Sequence, residues 1–129
     1  LGVKKDVSSF VVPVGATINM DGTAIMQGLA TMFIASTAGV DLSMIEYMQI
    51  VLLAMVASIG AAAVPSAGTI TLALILSSLG LPLDAIGLIL AVDRILDMIR
   101  TSVNVIGDSA IACIVGNSEN LLNKEVFYK

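Results

Sequence analysis

Five polar residues constrain this chain more than any other feature. Asp93, Asp97, Arg100, Asn104 and Asp108 follow one another at spacings of 4, 3, 4 and 4. At about 100° per helical residue they share a sector of roughly 80°. Thr101 lies at its margin, and the other faces of the segment are apolar or small. The apolar stretch around them, from about Ala85 to Val115, is long enough to cross a hydrocarbon layer of roughly 30 Å. Ionisable groups are expensive in lipid, so the stripe must face protein or water.

Composition identifies the medium. Of 129 residues, 57% are hydrophobic and 12% charged, with a mean hydropathy of +1.01. Soluble domains carry about 25% charged residues. The chain therefore reads as a membrane protein or a piece of one, and disorder is excluded. A net charge of −4 with six basic residues argues against a nucleic-acid partner. The chain lacks histidine and has a single cysteine, Cys113, which removes the usual zinc and haem sites and any internal disulfide. With no nucleophile–base–acid set, an enzyme is not expected, and no cofactor beyond a coupling ion. The seven methionines and Cys113 read as packing residues, and most of the 11 glycines as close helix contacts.

From Ser9 to about Val40 the chain is apolar but interrupted by Asn19-Met20-Asp21-Gly22-Thr23. Such a break survives in a membrane only where it faces protein or a water-filled cavity. Asp41–Glu46 is a polar turn. Two apolar arms follow, Tyr47–Ile59 and Thr69–Leu79, joined by a small-residue stretch from Gly60 to Gly68 that contains Pro65. Each arm reaches roughly 18 Å at 1.5 Å per residue, too short to cross. They predict a re-entrant helical hairpin, with one long kinked helix as the plainer alternative. Lys4, Lys5, Lys124 and Lys129 sit at the chain ends, and the inner loops hold only Asp41, Glu46 and Asp84. The positive-inside rule then puts both ends in the cytoplasm. Two spans flanking a hairpin satisfy that parity, and three spans do not. The predicted fold is an all-α membrane protein, two transmembrane helices, the first broken at 19–23, flanking a re-entrant hairpin.

The stripe also suggests a ligand. A salt-bridge ladder is the plainer reading, since Asp97 and Arg100 can pair at i, i+3. Three carboxylates against one arginine overshoot neutrality, however, and Arg94 lies to the side where it can snorkel. Arg100 is a planar fork suited to a carboxylate, and Asp97 one turn away suits an ammonium group. That pairing fits an amino acid. Asn19, Asp21, Asn104 and Asp108 offer hard oxygen ligands for Na+ or a similar cation. Broken helices with freed carbonyls at mid-membrane are how secondary transporters build such sites.

Three stretches carry a family resemblance: residues 15–23 (Gly-Ala-Thr-Ile-Asn-Met-Asp-Gly-Thr), the hairpin tip from Ala57 to Gly68, and Asp93 to Asp108. In this order and spacing they resemble the C-terminal part of the transport domain of the glutamate/aspartate (dicarboxylate/amino acid:cation) symporter family. The resemblance covers nearly the whole chain and implies a fragment of an inverted-repeat transporter. It implies a seventh transmembrane helix over 9–40, a second hairpin acting as gate over 47–79, an eighth helix over 85–116 and a cytoplasmic tail over 117–129. It further implies that Arg100 binds the side-chain carboxylate of L-glutamate or L-aspartate and that Asp97, helped by Thr101, binds its amino group. Asn104 would bind the α-carboxylate, and Thr23, Val64 and Gly68 would complete the pocket. One Na+ would use carbonyls of Gly15, Asn19 and Asn104 with the Asp108 carboxylate. A second would use Thr17, Ser58, Ile59 and Ala61, and a third Asn19 and Asp21.

Neutral amino-acid members of the family lack the arginine matching Arg100, and proton-coupled members tend to carry Asn where Asp108 stands. Met98 and Arg94 resemble the prokaryotic sodium-coupled members, which implies a bacterial inner membrane. Ala63 stands where glycine is usual at the tip and is less permissive of unusual backbone angles. The remaining helices, the first hairpin and the homotrimer scaffold would lie outside this chain, which alone would not transport. The alternatives are a proton-coupled glutamate/dicarboxylate symporter, an inactive truncated remnant and, more distantly, an ion channel.

Overall fold

The polar pentad at 19–23 divides the first apolar stretch. The computed structural model describes residues 1–60 and 67–128. It places α1 at Lys5–Ile18 and α2 at Asp21–Thr37, with Asn19 and Met20 out of helical conformation between them. The chain barely leaves the helix. The Asn19 amide still donates to the Gly15 carbonyl at 2.7 Å, and the Ala24 amide donates to that of Met20 at 3.0 Å. Asp21 in the first turn of α2 sets a carboxylate at the positive end of the helix dipole.

Helix α3 spans Met44–Gly60 and α4 Ala67–Ser78. A capping box starts α3: Glu46 accepts from the Ser43 amide and hydroxyl at 2.7 Å each, and the Ser43 hydroxyl accepts from the Glu46 amide at 3.4 Å. These bonds hold the Glu46 carboxyl below its usual range. The two helices pack on each other. The tip that would join them as a hairpin, including Ala61, Ala63 and Val64, lies outside the described residues.

The single helix expected over 85–116 is divided. A 3-10 turn at Leu83–Ala85 leads into α5, Ile86–Leu90, and a turn at Ala91–Val92 precedes α6, Asp93–Ser118. At the division Val92 (φ −115, ψ 3) donates to the Ile89 carbonyl at 3.1 Å, a tighter i→i−3 bond. The next helix therefore starts afresh at Asp93, its acid at the N-terminus. Among the described residues α6 alone is long and apolar enough to cross a membrane, while α3 and α4 are shorter apolar helices.

Three helices end alike. After α2, α4 and α6 the chain turns through a positive φ at Gly39, Gly80 and Asn120. In each case the following amide, Val40, Leu81 or Leu121, reaches back to a carbonyl five residues earlier. This is the Schellman closure, which needs a left-handed residue.

The core centres on α2. Met26, Ala30 and Ile34 pack against Leu72 and Leu76 of α4, with Leu81 and Ile89 closing one end. Helix α1 lies along α6 and touches α3. Large apolar side chains such as Phe10, Phe33, Val56 and Ile106 are exposed on the outside. The expected polar tail is partly structured. Val3 and Leu122 form an isolated antiparallel bridge, with bonds from the Lys4 amide to Leu121 (3.0 Å) and from the Asn123 amide to Gly2 (2.8 Å). Asn123 then caps the short α7, Lys124–Phe127.

Candidate functional site

The stripe of α6 meets the break between α1 and α2, and one residue ties them together. The Asn104 side-chain oxygen accepts from the Gly22 amide at 2.8 Å. Its nitrogen donates to the Met20 sulfur and the Thr23 hydroxyl, each at 3.4 Å. Below it, the Asn19 side-chain amide donates to the Asp108 carboxylate at 3.0 Å and to the Asn104 carbonyl at 3.4 Å. The Gly22 amide freed by the break is thus met by a side chain of α6.

Glycines make this meeting possible. A Cβ on Gly107 would come within 2.5 Å of the Asn19 amide nitrogen. One on Gly22 would collide with the Arg100 carbonyl, and one on Gly15 with the Asp108 carboxylate. The seam between α1–α2 and α6 is therefore closed to side chains at three levels.

Above the seam is a cavity of about 210 Å³. Thr23 and Met20 line it from the break, Ala67 and Gly68 from the start of α4, and Asp97, Arg100, Thr101, Asn104 and Asp108 from α6. Arg100 is largely buried, its side chain 14% exposed, and its guanidinium pairs with the 44% exposed Asp97. Gly68 lies so close to Arg100 that a Cβ there would run into the guanidinium. A groove of about 260 Å³ between α2 and α6 also borders Arg100, but its other walls, such as Leu29, Phe33 and Val103, are apolar. Of the two, the polar cavity offers complementary partners to a zwitterion.

The expected substrate contacts Arg100, Asp97, Thr101, Asn104, Thr23 and Gly68 all fall on this cavity; Val64 lies outside the described residues. The expected cation ligands divide. Gly15, Asn19, Asn104 and Asp108 meet on the seam, where Asp108 is only 7% exposed. The Asn19 amide proton donor bridges the two α6 oxygens there, the arrangement a small cation would replace. Thr17 lies in the last turn of α1, and Ser58 and Ile59 lie near the end of α3. Ala61 lies outside the described residues. Asp21 is exposed beside Gly107 and does not line the cavity. Asp93, at the start of α6, does not reach it either. Among the described residues there is no cluster of three acidic, Cys or His side chains able to hold a metal by side chains alone. Any ion here leans on backbone and amide oxygens.

Sequence reading missed Met20 as an acceptor and Ala16, Ala67 and Val105 as cavity walls; it expected close helix contacts at most glycines but not which helix Gly22 and Gly107 meet. A glycine inside a helix beside a polar stripe was the available signal.

Comparison with known proteins gives a consistent result. Residues 1–118 match the sodium:dicarboxylate symporter family. The excitatory amino acid transporter of Onchocerca volvulus is 55% identical over 115 residues, 89% of this chain and 23% of its own length. Excitatory amino acid transporter 2 of Mus musculus is 55% identical over the same share of this chain and 20% of its own. Excitatory amino acid transporter 1 of Rattus norvegicus is 50% identical over 127 residues, 97% of this chain and 23% of its own. These relatives are named as transporters, not enzymes. The chain spans between 20% and 23% of their length.

Proposed function

The chain belongs to the sodium:dicarboxylate symporter family, and on that premise we propose that it forms the C-terminal part of the transport domain of a Na+-coupled symporter for L-glutamate or L-aspartate. The observation that carries this reading is the cavity that gathers Arg100, Asp97, Thr101, Asn104 and Thr23 at one place. Arg100 and Asp97 are paired with each other. A ligand bearing both a carboxylate and an ammonium group replaces each partner by its own, so neither charge is left bare. A simple anion would free Asp97 without compensation, which is costly in a low-dielectric site. An acidic amino acid also brings a second carboxylate for Asn104. Thr101, Thr23, Gly68 and Val64 close the remaining contacts.

Na+ enters the same scheme as cargo. The Gly15, Asn19 and Asn104 carbonyls and the Asp108 carboxylate form the first site. Thr17, Ser58, Ile59 and Ala61 form the second, and Asn19 with Asp21 contributes to the third. Asn104 belongs to both the substrate cavity and the first ion site, so filling one site orients a ligand of the other. Such coupling is reciprocal: sodium raises amino-acid affinity and the amino acid raises sodium affinity by the same factor. Residues 47–79 are the gate that closes over both. The whole assembly is a trimer in a cell membrane, a bacterial inner membrane by the pattern at Met98 and Arg94, with both ends of this segment cytoplasmic.

Calorimetric titration of aspartate into the full-length protein, with and without sodium at two pH values, tests the reading. Tight binding only with sodium is expected. Binding that ignores sodium and follows pH would instead mean proton coupling and would remove Asp108 from the ligand set.

A further inference from the structure

Gln27 is fully buried in α2, two turns from the break and away from the cavity. Its side-chain nitrogen donates to the Thr71 hydroxyl on α4. Its side-chain oxygen is buried with no partner among the described residues. The Thr71 oxygen lies 2.9 Å from the Ala67 carbonyl and 3.1 Å from that of Gly68. Its one proton serves one of them at a time, while its lone pair receives Gln27. Ala67 and Gly68 line the cavity over Arg100. A short polar path therefore runs from the centre of α2 to the part of α4 that covers the guanidinium.

Apolar contacts also join these helices, Met26, Ala30 and Ile34 against Leu72 and Leu76. Apolar burial is non-directional and gives little preference for one seating of α4 over its neighbours. One buried hydrogen bond supplies that preference. We propose that Gln27 and Thr71 form a latch that seats the α4 arm over the cavity. The proposal rests on the reading of residues 47–79 as a gate. Seating gains a single hydrogen bond, whose modest net worth holds the arm and still lets it lift.

The test uses the full-length protein with its cysteines replaced by serine and Ala67→Cys as reporter. The rate of modification by a water-soluble maleimide is read without substrate. Gln27→Met and Thr71→Val should each raise that rate roughly fivefold, the effect of one net hydrogen bond. The double variant should be no faster than either single one, and Thr71→Ser, which keeps the hydroxyl, should match the parent. Unchanged rates in both single variants, or effects that multiply in the double variant, would overturn the latch. If Gln27→Met does not assemble in the membrane, Thr71→Val against Thr71→Ser decides alone. Protection of the reporter by aspartate with sodium tests the transport reading separately: loss of protection with the rate pattern intact removes the substrate and keeps the latch.

Discussion

Among the described residues, the apolar stretches are interrupted at Asn19–Met20 and at Ala91–Val92, and these breaks are built from opposite materials. At the first, the Asn104 side chain accepts from the Gly22 amide, and the Asn19 side chain donates across the seam to Asp108 and to the Asn104 carbonyl. At the second, only backbone bonds such as Val92 to Ile89 carry the chain through, and Val92 is exposed. The first break is held open by another helix. The second is a local change of pitch that costs no buried polar group. A polar break between packed helices organises a site, whereas an apolar one merely redirects the chain.

The largest expected effect falls on the cavity above the first break. Arg100→Cys leaves Asp97 unpaired and removes the carboxylate fork. Aspartate affinity should fall by a hundredfold or more, on the order of 3 kcal/mol for truncating a charge pair. Unchanged affinity in a binding titration would refute the substrate assignment. Next comes Asn104→Ala, which strips the bond to the Gly22 amide and both contacts of its own nitrogen. A loss of about 1–3 kcal/mol in stability is expected, together with weaker aspartate binding, read as the thermal midpoint and a titration. If neither moves, the first break does not depend on α6.

Asp108→Asn keeps the shape of the seam but removes its charge. The sodium concentration needed for half-maximal aspartate binding should rise roughly tenfold, a cost of about 1.4 kcal/mol. An unaltered sodium titration would take Asp108 out of the ion site. At the second break, Val92→Ala should change the thermal midpoint little, within about 0.5 kcal/mol, and leave both titrations alone. A sodium or aspartate effect there would erase the contrast between the breaks. The smallest effect is at the start of α3. The Glu46 carboxyl is lowered by Ser43, so its contribution is present above its ordinary value of 4.5 and lost as pH falls through the lower folded value. The midpoint difference between parent and Glu46→Gln should shrink toward zero in acid. A difference independent of pH would mean that charge at this cap is immaterial.

The same contrast explains what could be read in advance. Asn19, Asn104, Arg100 and Asp108 announce themselves because polar groups in an apolar helix demand partners. Asp93 and Asp21 fit the same pattern yet stay off the cavity, since periodicity gives a face but not a depth. Val92 carries no signal at all: a β-branched residue in an apolar run is equally compatible with a continuing helix. Gly22, Gly107 and Gln27 needed knowledge of which helix lies opposite, and only tertiary packing supplies it. The helix ending at Gly39 was not legible, because the apolar stretch runs on to about Val40; the left-handed turn there, like that at Asn120, shows only in the fold.

The bridge between Val3 and Leu122 has a mechanical consequence. It fastens the segment entering α1 to the segment leaving α6, and the seam at Asn19 and Asp108 fastens the same two helices farther along. Two rivets along one joint forbid shear. Sliding α1 by a single turn, about 5.4 Å, would tear the backbone bonds at one rivet and the side-chain bonds at the other together. Held at both places, α1 and α6 form one stiff unit against which the other described helices lean.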